Sequence, residues 1–574
     1  MPVQNAEIAD IFSEVADLLD IQGENQFRVR AYRTAARTLS ELPQNLSDMV
    51  DQNENLSELH GIGKDLAGKI KTIVQTGSLP QLEDLRAKHG GELSTMMHVA
   101  GLGPKRVKQI HERLKVNTLS DLKEAAEKER IRDLPGMGEK TEKSVLEGLA
   151  RIAGTSDRVK LSIARQFVES LTRKLEGTKG VKTVTVAGSY RRRKETVGDL
   201  DVLVTCEKNA PVMEAFTKGL DIQKVVSKGD TRSTILLRKG LQVDLRVVPE
   251  SGYGSALHYF TGSKAHNIAV RRIAVKKKLK LNEYGLYRGD DQIAGRTEED
   301  VYNSLGLSYI PPEIRENNGE VEAAAKNGLP GLIELKHVRG DLHCHSKHTD
   351  GRDSIEKMAE AAKERGYSYL ALTDHSQKIT VTGGLDEKRL MEELKEIDRL
   401  NDKLNGIRLL KGSEVDILED GGLDFPDSVL ERLDVVIGAV HSKFKLSRKE
   451  QTERVLKALS NKYLTFLAHP TGRLIGSREP YDIDMDRIIR AAADEGCFLE
   501  LNGNPDRLDI NENYCRSCKD NGVKVVLNTD AHSTMDLQFM EYAVGQARRG
   551  WLEPDDVVNT KSTKKLTKLL HQRR

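Results

Sequence analysis

The chain has 574 residues, with 90 Lys and Arg against 88 Asp and Glu, for a net charge of +2. That length calls for several domains, each burying its own core, and the near-neutral balance excludes a global cationic grip on nucleic acid, so any such footprint must be local. No apolar run approaches the roughly 20 residues of a membrane span, the opening MPVQNAEIADIF lacks the regions of a signal peptide, and five cysteines are too few for a disulfide framework. A reducing cytoplasm and no membrane partner are expected. Cys515 and Cys518 form a lone CxxC with no second pair to complete a zinc site.

Residues 6–40 read as helical, because Ile8, Ile11, Phe12, Val15, Leu18 and Leu19 recur at helical spacing. The stretch Phe27–Arg33 gives an arginine-rich helix. A pattern then repeats three times: Leu59-His60-Gly61-Ile62-Gly63, Val99-Ala100-Gly101-Leu102-Gly103 and Leu134-Pro135-Gly136-Met137-Gly138. A basic helix begins after each, near Lys64, Lys105 or Lys140. Paired glycines permit a tight turn, and the helix N-terminus that follows presents backbone N–H groups to a phosphate. Such contacts hold a DNA backbone without reading its sequence. One Gly-x-Gly serves any helix–helix turn. Three with the same apolar flank resemble helix-hairpin-helix DNA-binding motifs, which implies DNA contacts at Gly61, Gly63, Gly101, Gly103, Lys105, Gly136, Gly138 and Lys140.

From Val181 the pattern changes to strands. Val184–Ala187 runs into Gly188-Ser189, Asp201–Val204 follows a basic loop, and Ile235–Arg238 and Leu241–Val248 form a hairpin about Lys239-Gly240. Residues 188–204, GSYRRRKETVGDLDVLV, hold the chemistry. Asp199 and Asp201 project to one face of a strand and repel each other unless a cation sits between them. Hard oxygen ligands of this kind suit Mg²⁺ or Mn²⁺. Asp244 interrupts an apolar strand, where a carboxylate must be paired, hydrogen-bonded or metal-bound. It either completes a triad with Asp199 and Asp201 or serves as a plain partner for Arg246. With a triad, one ion would acidify a primer 3′-hydroxyl and another would hold a triphosphate.

This stretch is similar to the palm motif of the X-family DNA polymerases, the group containing polymerase beta. The likeness continues in Tyr259-Phe260-Thr261-Gly262-Ser263, Asn267, Arg271 and Leu281–Tyr284. It implies triphosphate contacts from Ser189, Arg192 and the backbone at Gly188 and Gly198. It also implies that Tyr259 and Phe260, in the turn closed by Gly262, lie against the incoming sugar. Asn267 would reach the minor-groove edge of the incoming base and Arg271 the template side. Val197 stands where the family often has a hydroxyl residue, and Lys264 where it has an acid. The segment Gly61–Ile70 is similar to the deoxyribose-phosphate lyase segment of the same family. That implies Lys69 as the Schiff-base lysine, with Tyr32 and Arg28 beside it, although Asp65 replaces a supporting lysine and Phe27 a histidine. A lysine acts there only if its amine is partly neutral.

Residues 311–335, opened by Pro311-Pro312 and rich in Gly, Ala and polar side chains, read as a connection between domains. Beyond it, strand-like runs (369–372, 435–440, 465–468, 498–501, 523–527) alternate with helices (386–402, 449–460, 484–495), as in a parallel sheet closed into a barrel. His343, His345, Asp350, His375, Glu414, His441, His469, Asp530 and His532 sit at the carboxyl ends of such strands, where barrels place active sites. Mixed His and carboxylate donors suit Zn²⁺, Mn²⁺ or Fe²⁺. The set resembles the polymerase and histidinol phosphatase (PHP) domain with all nine ligand positions filled. The resemblance implies two or three bound ions and hydrolysis of a phosphodiester or phosphomonoester, with Asn502, Asn504 and Arg507 orienting a phosphate and His348 given no ligand role.

The expectation is a multidomain α+β and α/β protein. Residues 1–85 would be a helical DNA-binding, lyase-like domain, 86–153 a helix-hairpin-helix fingers-like subdomain and 154–250 a nucleotidyltransferase palm. Residues 251–315 would form a nucleotide-binding subdomain, 316–336 a linker and 337–574 a PHP domain folded as a distorted TIM-like (β/α)7 barrel. The expected function is gap filling on gapped or nicked DNA with dNTPs, of the base excision repair type, paired with a 3′-5′ exonuclease. A 3′-phosphatase, 3′-phosphodiesterase or abasic-site endonuclease lies within the family's range, and a monomer is expected. The alternatives are a small-molecule phosphatase recruited to DNA by the polymerase half, and a non-catalytic scaffold for DNA ends.

Overall fold

The computed structural model describes residues 5–42, 44–89, 93–97, 99, 101–154, 158–219, 222–237 and 240–570. The chain divides into two compact units: residues 1–159, 163–185 and 198–247 form one, and 160–162, 186–197 and 248–574 the other. No described helix is long and apolar enough to cross a membrane.

In the first unit the expected helical stretch over 6–40 is two helices, Asn5–Gln22 and Gln26–Glu41. Gly23 turns the chain with φ +82°, and Asn25 caps the second helix by accepting from the Phe27 N–H. Phe12 and Tyr32 meet edge to face at 5.5 Å between them.

The three glycine hairpins share one geometry. In each, the N–H of the apolar residue between the glycines donates back to the carbonyl of the first residue of the pattern, Ile62 to Leu59, Leu102 to Val99 and Met137 to Leu134. The first glycine of each takes a left-handed φ of +69°, +87° and +73° at Gly61, Gly101 and Gly136. Helices Lys64–Thr76, Pro104–Leu114 and Glu139–Gly154 follow. Ile62, Leu102 and Met137 are buried while Gly61, Gly101 and Gly136 face solvent. Ala100 of the second copy lies outside the described residues.

A five-stranded sheet completes this unit: β1 (Val181–Val186), β2 (Asp199–Cys206), β3 (Ile222–Lys228), β4 (Arg232–Leu237) and β5 (Gln242–Val247), in the order β1-β2-β5-β4-β3. β2 and β5 run parallel, whereas β4 and β5 form the expected antiparallel hairpin. Arg238 and Lys239 of its turn lie outside the described residues.

The second unit begins with helices Tyr253–Thr261 and Lys264–Lys276 and a small antiparallel sheet of β6 (Lys280–Asn282), β7 (Gly285–Arg288) and β8 (Asp291–Ala294). Residues 316–336, expected as a linker, contain packed structure. Glu320–Ala325 is a helix, and Val321, Ala324 and Leu332 join the same core as Val270, Leu286 and Tyr302. Glu320 is fully buried against His266 Nδ1 at 2.6 Å. The Ala- and Gly-rich composition that suggests a loose connection encodes a short helix between turns, and its few apolar residues fall on the buried face.

The barrel has seven parallel strands in sequence order: β9 (Gly340–Cys344), β10 (Tyr369–Leu372), β11 (Arg408–Asp416), β12 (Val435–Ala439), β13 (Phe466–Leu467), β14 (Phe498–Asn502) and β15 (Val525–Asn528). A parallel bridge between Cys344 and Ala531 nearly closes the ring. Alternate strand residues enter two cores. Leu370, Leu372 and Val436 pack with helix residues such as Met358, Ile397 and Val455. Tyr369, Ala371, Ile437 and Phe466 fill the interior with Leu566 and Leu570 of a terminal helix. This alternation aims the strand ends, and their histidines, at one mouth.

Candidate metal and nucleotide sites

β2 and β5 pair so that Asp201 stands directly opposite Asp244, and Asp199 lies two residues back on the same face. Asp199 is exposed, Asp201 half-buried and Asp244 buried. Asp244 accepts from Thr234 Oγ1 at 2.6 Å, Gln242 Nε2 at 2.7 Å and Arg232 Nη2 at 3.4 Å. Burial would raise its pKa, but these three donors outweigh it and hold the carboxyl below the ordinary range. Three oxygen donors on one face, the innermost kept ionised, fit hard divalent ions.

The loop with the basic run belongs to the second unit. Gly188, buried at φ +64°, opens the turn Gly188–Arg191, and Ser189 Oγ is buried without a hydrogen-bond partner. Arg192 Nη1 donates to the Thr261 carbonyl at 2.5 Å. Arg191 donates to Thr261 Oγ1 at 2.7 Å and, bidentate, to Glu298 at 3.0 and 2.6 Å. Gly262 has φ +68°, and a Cβ there would come within 3.3 Å of Arg192 Nη1. Asn267 Nδ2 donates to the Tyr259 carbonyl at 2.7 Å, while its Oδ1 is buried and unsatisfied. Thus Arg192, Tyr259, Gly262 and Asn267 converge on one turn, with Phe260 edge-on to Tyr259 and Arg271 exposed one helical turn beyond Asn267. Gly198 belongs to the first unit, where a Cβ would meet Arg158 Nη1 at 3.0 Å. Val197 is fully buried.

Sequence reasoning missed what supports that turn. Arg315 is fully buried, donates to Glu298 and offers its own carbonyl to the Ser263 N–H. Burial would raise the Glu298 carboxyl, yet Arg315 and Arg191 bring it down to about 2.

In the first hairpin, Lys69 Nζ donates to Asp65 Oδ2 at 2.6 Å and to Tyr32 Oη at 2.7 Å, and Tyr32 donates onward to Gln81 at 2.7 Å. Burial would lower the amine's pKa, but Asp65 and Tyr32 overcome it and raise it above the ordinary lysine value. The partly neutral amine that Schiff-base chemistry needs is therefore disfavoured. Arg28 pairs with Glu24 at 3.6 Å, and Phe27 is 80% exposed. Lys105 and Lys140 are exposed at their helix starts, and Arg106 ties two hairpins together by donating to the carbonyls of Gly101 and Gly136.

At the barrel mouth all nine expected donors come together. Glu414 is the hub, with His375 Nδ1 at 3.0 Å, His441 Nε2 at 3.1 Å, His469 Nε2 at 2.9 Å and His343 Nε2 at 3.3 Å. His345 Nε2 lies 3.2 Å from Asp530, and Asp350 joins His375 and His532 at 3.5 and 3.4 Å. Among the described residues, donor atoms gather within 4.8 Å of one another in three overlapping groups: His345, Asp350, His375 and His532; His343, His345 and Asp530; and His375, Glu414 and His441. His343 Nε2, His375 Nδ1 and both ring nitrogens of His345 are buried without an aligned hydrogen bond. Such atoms are costly unless a cation takes them up, so the donor set fits a metal cluster.

The pocket is rich in negative charge. Burial would lower His375, but Glu414 and Asp350 push it up to about 10. His532 rises to about 9 against its own burial, through Asp350 and Asp530. A second layer holds the ligands, and the chain read in sequence gives no sign of it. Glu500 accepts from His343 Nδ1 at 2.7 Å and from the His469 N–H at 2.8 Å. Asp416 faces His441 Nδ1 at 3.3 Å. Asp374 accepts from the Ser346 N–H and Oγ and from Thr349 Oγ1. The Glu500 and Asp416 contacts fix tautomer and ring orientation, while Asp374 ties down the chain between His345 and Asp350.

One expectation changes. Asn502 is fully buried and spends its amide on Glu500 and Asp530, so it steadies ligands rather than facing a phosphate. Arg507, half-buried 3.4 Å from Asp530, keeps a position open to one. His348 pairs outward with Glu396 at 3.0 Å. Cys515 and Cys518 are buried on one helix with their thiol pKa values pushed up by burial, hence inert.

Four family descriptions match the chain: a helix-hairpin-helix domain over residues 3–79, a SAM-like helix-hairpin-helix tandem over 93–151, a DNA polymerase beta thumb over 256–316 and a PHP domain over 341–504. The DNA polymerase/3′-5′ exonuclease PolX of Bacillus subtilis is 38% identical over 562 residues, 97% of this chain and 98% of the relative. A probable phosphatase of Thermoanaerobacter is 29% identical over 38% of this chain and 89% of its own length. The DNA polymerase lambda of Arabidopsis thaliana is 27% identical over 55% of this chain and 62% of its own.

Proposed function

Because the chain belongs to the PolX family, X-family DNA polymerases with helix-hairpin-helix and PHP domains, we propose that it extends DNA primers with dNTPs and shortens DNA 3′ ends at its barrel. The observation that carries the first activity is the register of Asp201 opposite Asp244, with Asp199 on the same face. Asp199, Asp201 and Asp244 would hold Mg²⁺ or Mn²⁺, which supplies charge neutralisation for a triphosphate and acidifies an attacking hydroxyl. The chain's own part is orientation. Thr234, Gln242 and Arg232 keep Asp244 ionised at neutral pH. Arg192 and the unpartnered Ser189 hydroxyl offer donors to phosphate oxygens, and Asn267 offers an unsatisfied acceptor to a base edge. The hairpins, with exposed glycines and uncapped helix starts at Gly63 and Gly103, suit a sequence-independent hold on gapped or nicked DNA.

In the barrel, the nine donors would hold two or three Mn²⁺, Zn²⁺ or Fe²⁺ ions, which supply Lewis acidity at a phosphodiester. Glu500, Asp416 and Asp374 keep the ligands oriented, and Arg507 binds the phosphate. Short-gap filling in base-excision-type repair, as a cytoplasmic monomer, is the role these parts support. Lys69, protonated by its partners, is proposed as a backbone contact rather than a lyase nucleophile. A small-molecule phosphatase is favoured only by the likeness to probable phosphatases, which covers 38% of the chain and leaves the triad without a task.

A gapped substrate with a 5′-labelled primer, incubated with Mg²⁺ or Mn²⁺ with and without dNTPs, tests both heads on one gel. Asp199→Ala is expected to lose extension alone and His343→Ala shortening alone. Extension that survives in Asp199→Ala, or shortening that survives in His343→Ala, removes the corresponding assignment.

A further inference from the structure

The loop that carries Ser189 and Arg192 is seated within the second unit by groups that the proposed chemistry does not use. Arg549 closes the helix Met540–Arg549, and its side chain is only 1% exposed. Its Nη1 donates to the carbonyl of Arg192 at 2.8 Å and to Glu316 Oε1 at 3.2 Å, and its Nη2 donates to Glu512 Oε1 at 2.6 Å. Gln546, one turn earlier, donates to the next carbonyl, that of Arg193, at 2.8 Å. Arg193 is left-handed there, with φ +56°. A Cβ on Gly545 would already touch the Arg193 side chain at 3.5 Å. Two successive carbonyls of the loop are therefore held from the barrel's last long helix.

The Arg192 side chain meets the same group. Its Nε donates to Glu316 Oε1 at 3.0 Å, the oxygen that Arg549 also takes, and Lys194 Nζ lies 3.8 Å from it. One carboxylate oxygen thus serves two guanidiniums. A triphosphate offers Arg192 a stronger, bidentate acceptor, and Glu316 is then left to Arg549 and Lys194. Glu316 competes with phosphate for Arg192, and Arg549 competes with Arg192 for Glu316.

We propose that Arg549 and Glu316 are positioning residues for nucleotide binding, through which the barrel sets the dNTP affinity of the polymerase site. This rests on the reading of Arg192 as a triphosphate contact. Neutralising Glu316 frees Arg192, whereas removing Arg549 leaves Glu316 wholly to Arg192 and loosens the loop's anchored carbonyl.

The test is steady-state extension of gapped DNA by the full chain with Mg²⁺, separating kcat from KM for dNTP. Arg549→Met is expected to raise KM about tenfold with kcat little changed, the scale of one charge-assisted hydrogen bond. Glu316→Gln is expected to lower KM, and the double variant to match Glu316→Gln to within about threefold, well short of the roughly tenfold that additivity requires. A merely structural Arg549 predicts a double variant as poor as Arg549→Met or worse, and that result overturns the relay. An unchanged KM in Arg549→Met overturns it equally. If Arg549→Met does not fold, Arg549→Lys carries the same cycle, with a KM raised about threefold and reversed by Glu316→Gln. Arg192→Ala separates the two levels. A normal KM there removes the triphosphate role itself, while a raised KM beside an additive cycle removes only the relay.

Discussion

Glu298 gives the most direct quantitative test of how the nucleotide turn is held. The carboxylate is 4% exposed, paired with Arg315 and bidentate with Arg191, which also grips Thr261. Its pKa falls from 4.5 to about 2 on folding, and at about 1.4 kcal/mol per unit that is about 3 kcal/mol of stability. The sign is that of a depressed acid. The contribution is complete above pH 4.5 and is lost as pH falls through about 2. Glu298→Gln should therefore cost about 3 kcal/mol at pH 7, in line with leaving a buried guanidinium without its partner. The deficit should narrow below pH 4.5, because the wild type then surrenders the same interaction. Hydrogen exchange over residues 253–325 reads this locally, which matters in a chain that need not unfold in one step. A deficit below about 1 kcal/mol, or one equal at pH 7 and pH 3, would refute the reasoning.

Other outcomes follow from the same structure. Borohydride trapping on abasic DNA should be weak at neutral pH, because Asp65 and Tyr32 raise the Lys69 amine against its burial; Asp65→Ala should increase trapping, and efficient trapping by the wild type would show that the amine is free. Gly61→Ala places a Cβ 2.6 Å from Thr34 Cγ2 at φ +69°, whereas Gly136→Ala at φ +73° meets nothing. Denaturation should show about 1 kcal/mol for Gly136→Ala from left-handed strain alone and a clearly larger loss for Gly61→Ala. Glu500→Gln should weaken Mn²⁺ binding at the barrel by about 10–100-fold in a metal titration, with shortening rescued by excess metal; unchanged affinity would leave Glu500 a packing residue only.

What the sequence made legible was periodic or repeated. The hairpins were readable because three copies share an apolar flank and two glycines, and the barrel donors because a histidine or acid recurs at strand end after strand end. Asp244 stood out because a carboxylate in an apolar strand requires an explanation. The groups that position these residues carry no such mark. Glu500 in Phe498–Asn502 looks like any polar strand residue, and its partner His343 is 157 positions away. Glu298 reads as the acidic first turn of a helix, and only the fold reveals two arginines closing on it from residues 191 and 315. The packing within the expected linker was hidden for the complementary reason, since composition records flexibility but not which few apolar residues face a core. Lys69 shows where the two kinds of information meet. Asp65 was visible as a departure from the family pattern, but its meaning lay in a 2.6 Å contact, and a carboxylate at that distance holds the lysine as a cation and disfavours the neutral amine a nucleophile needs. A substitution next to a reactive group is thus legible as chemistry only once its distance is known, and the same holds for Glu316 and Arg549 beside Arg192.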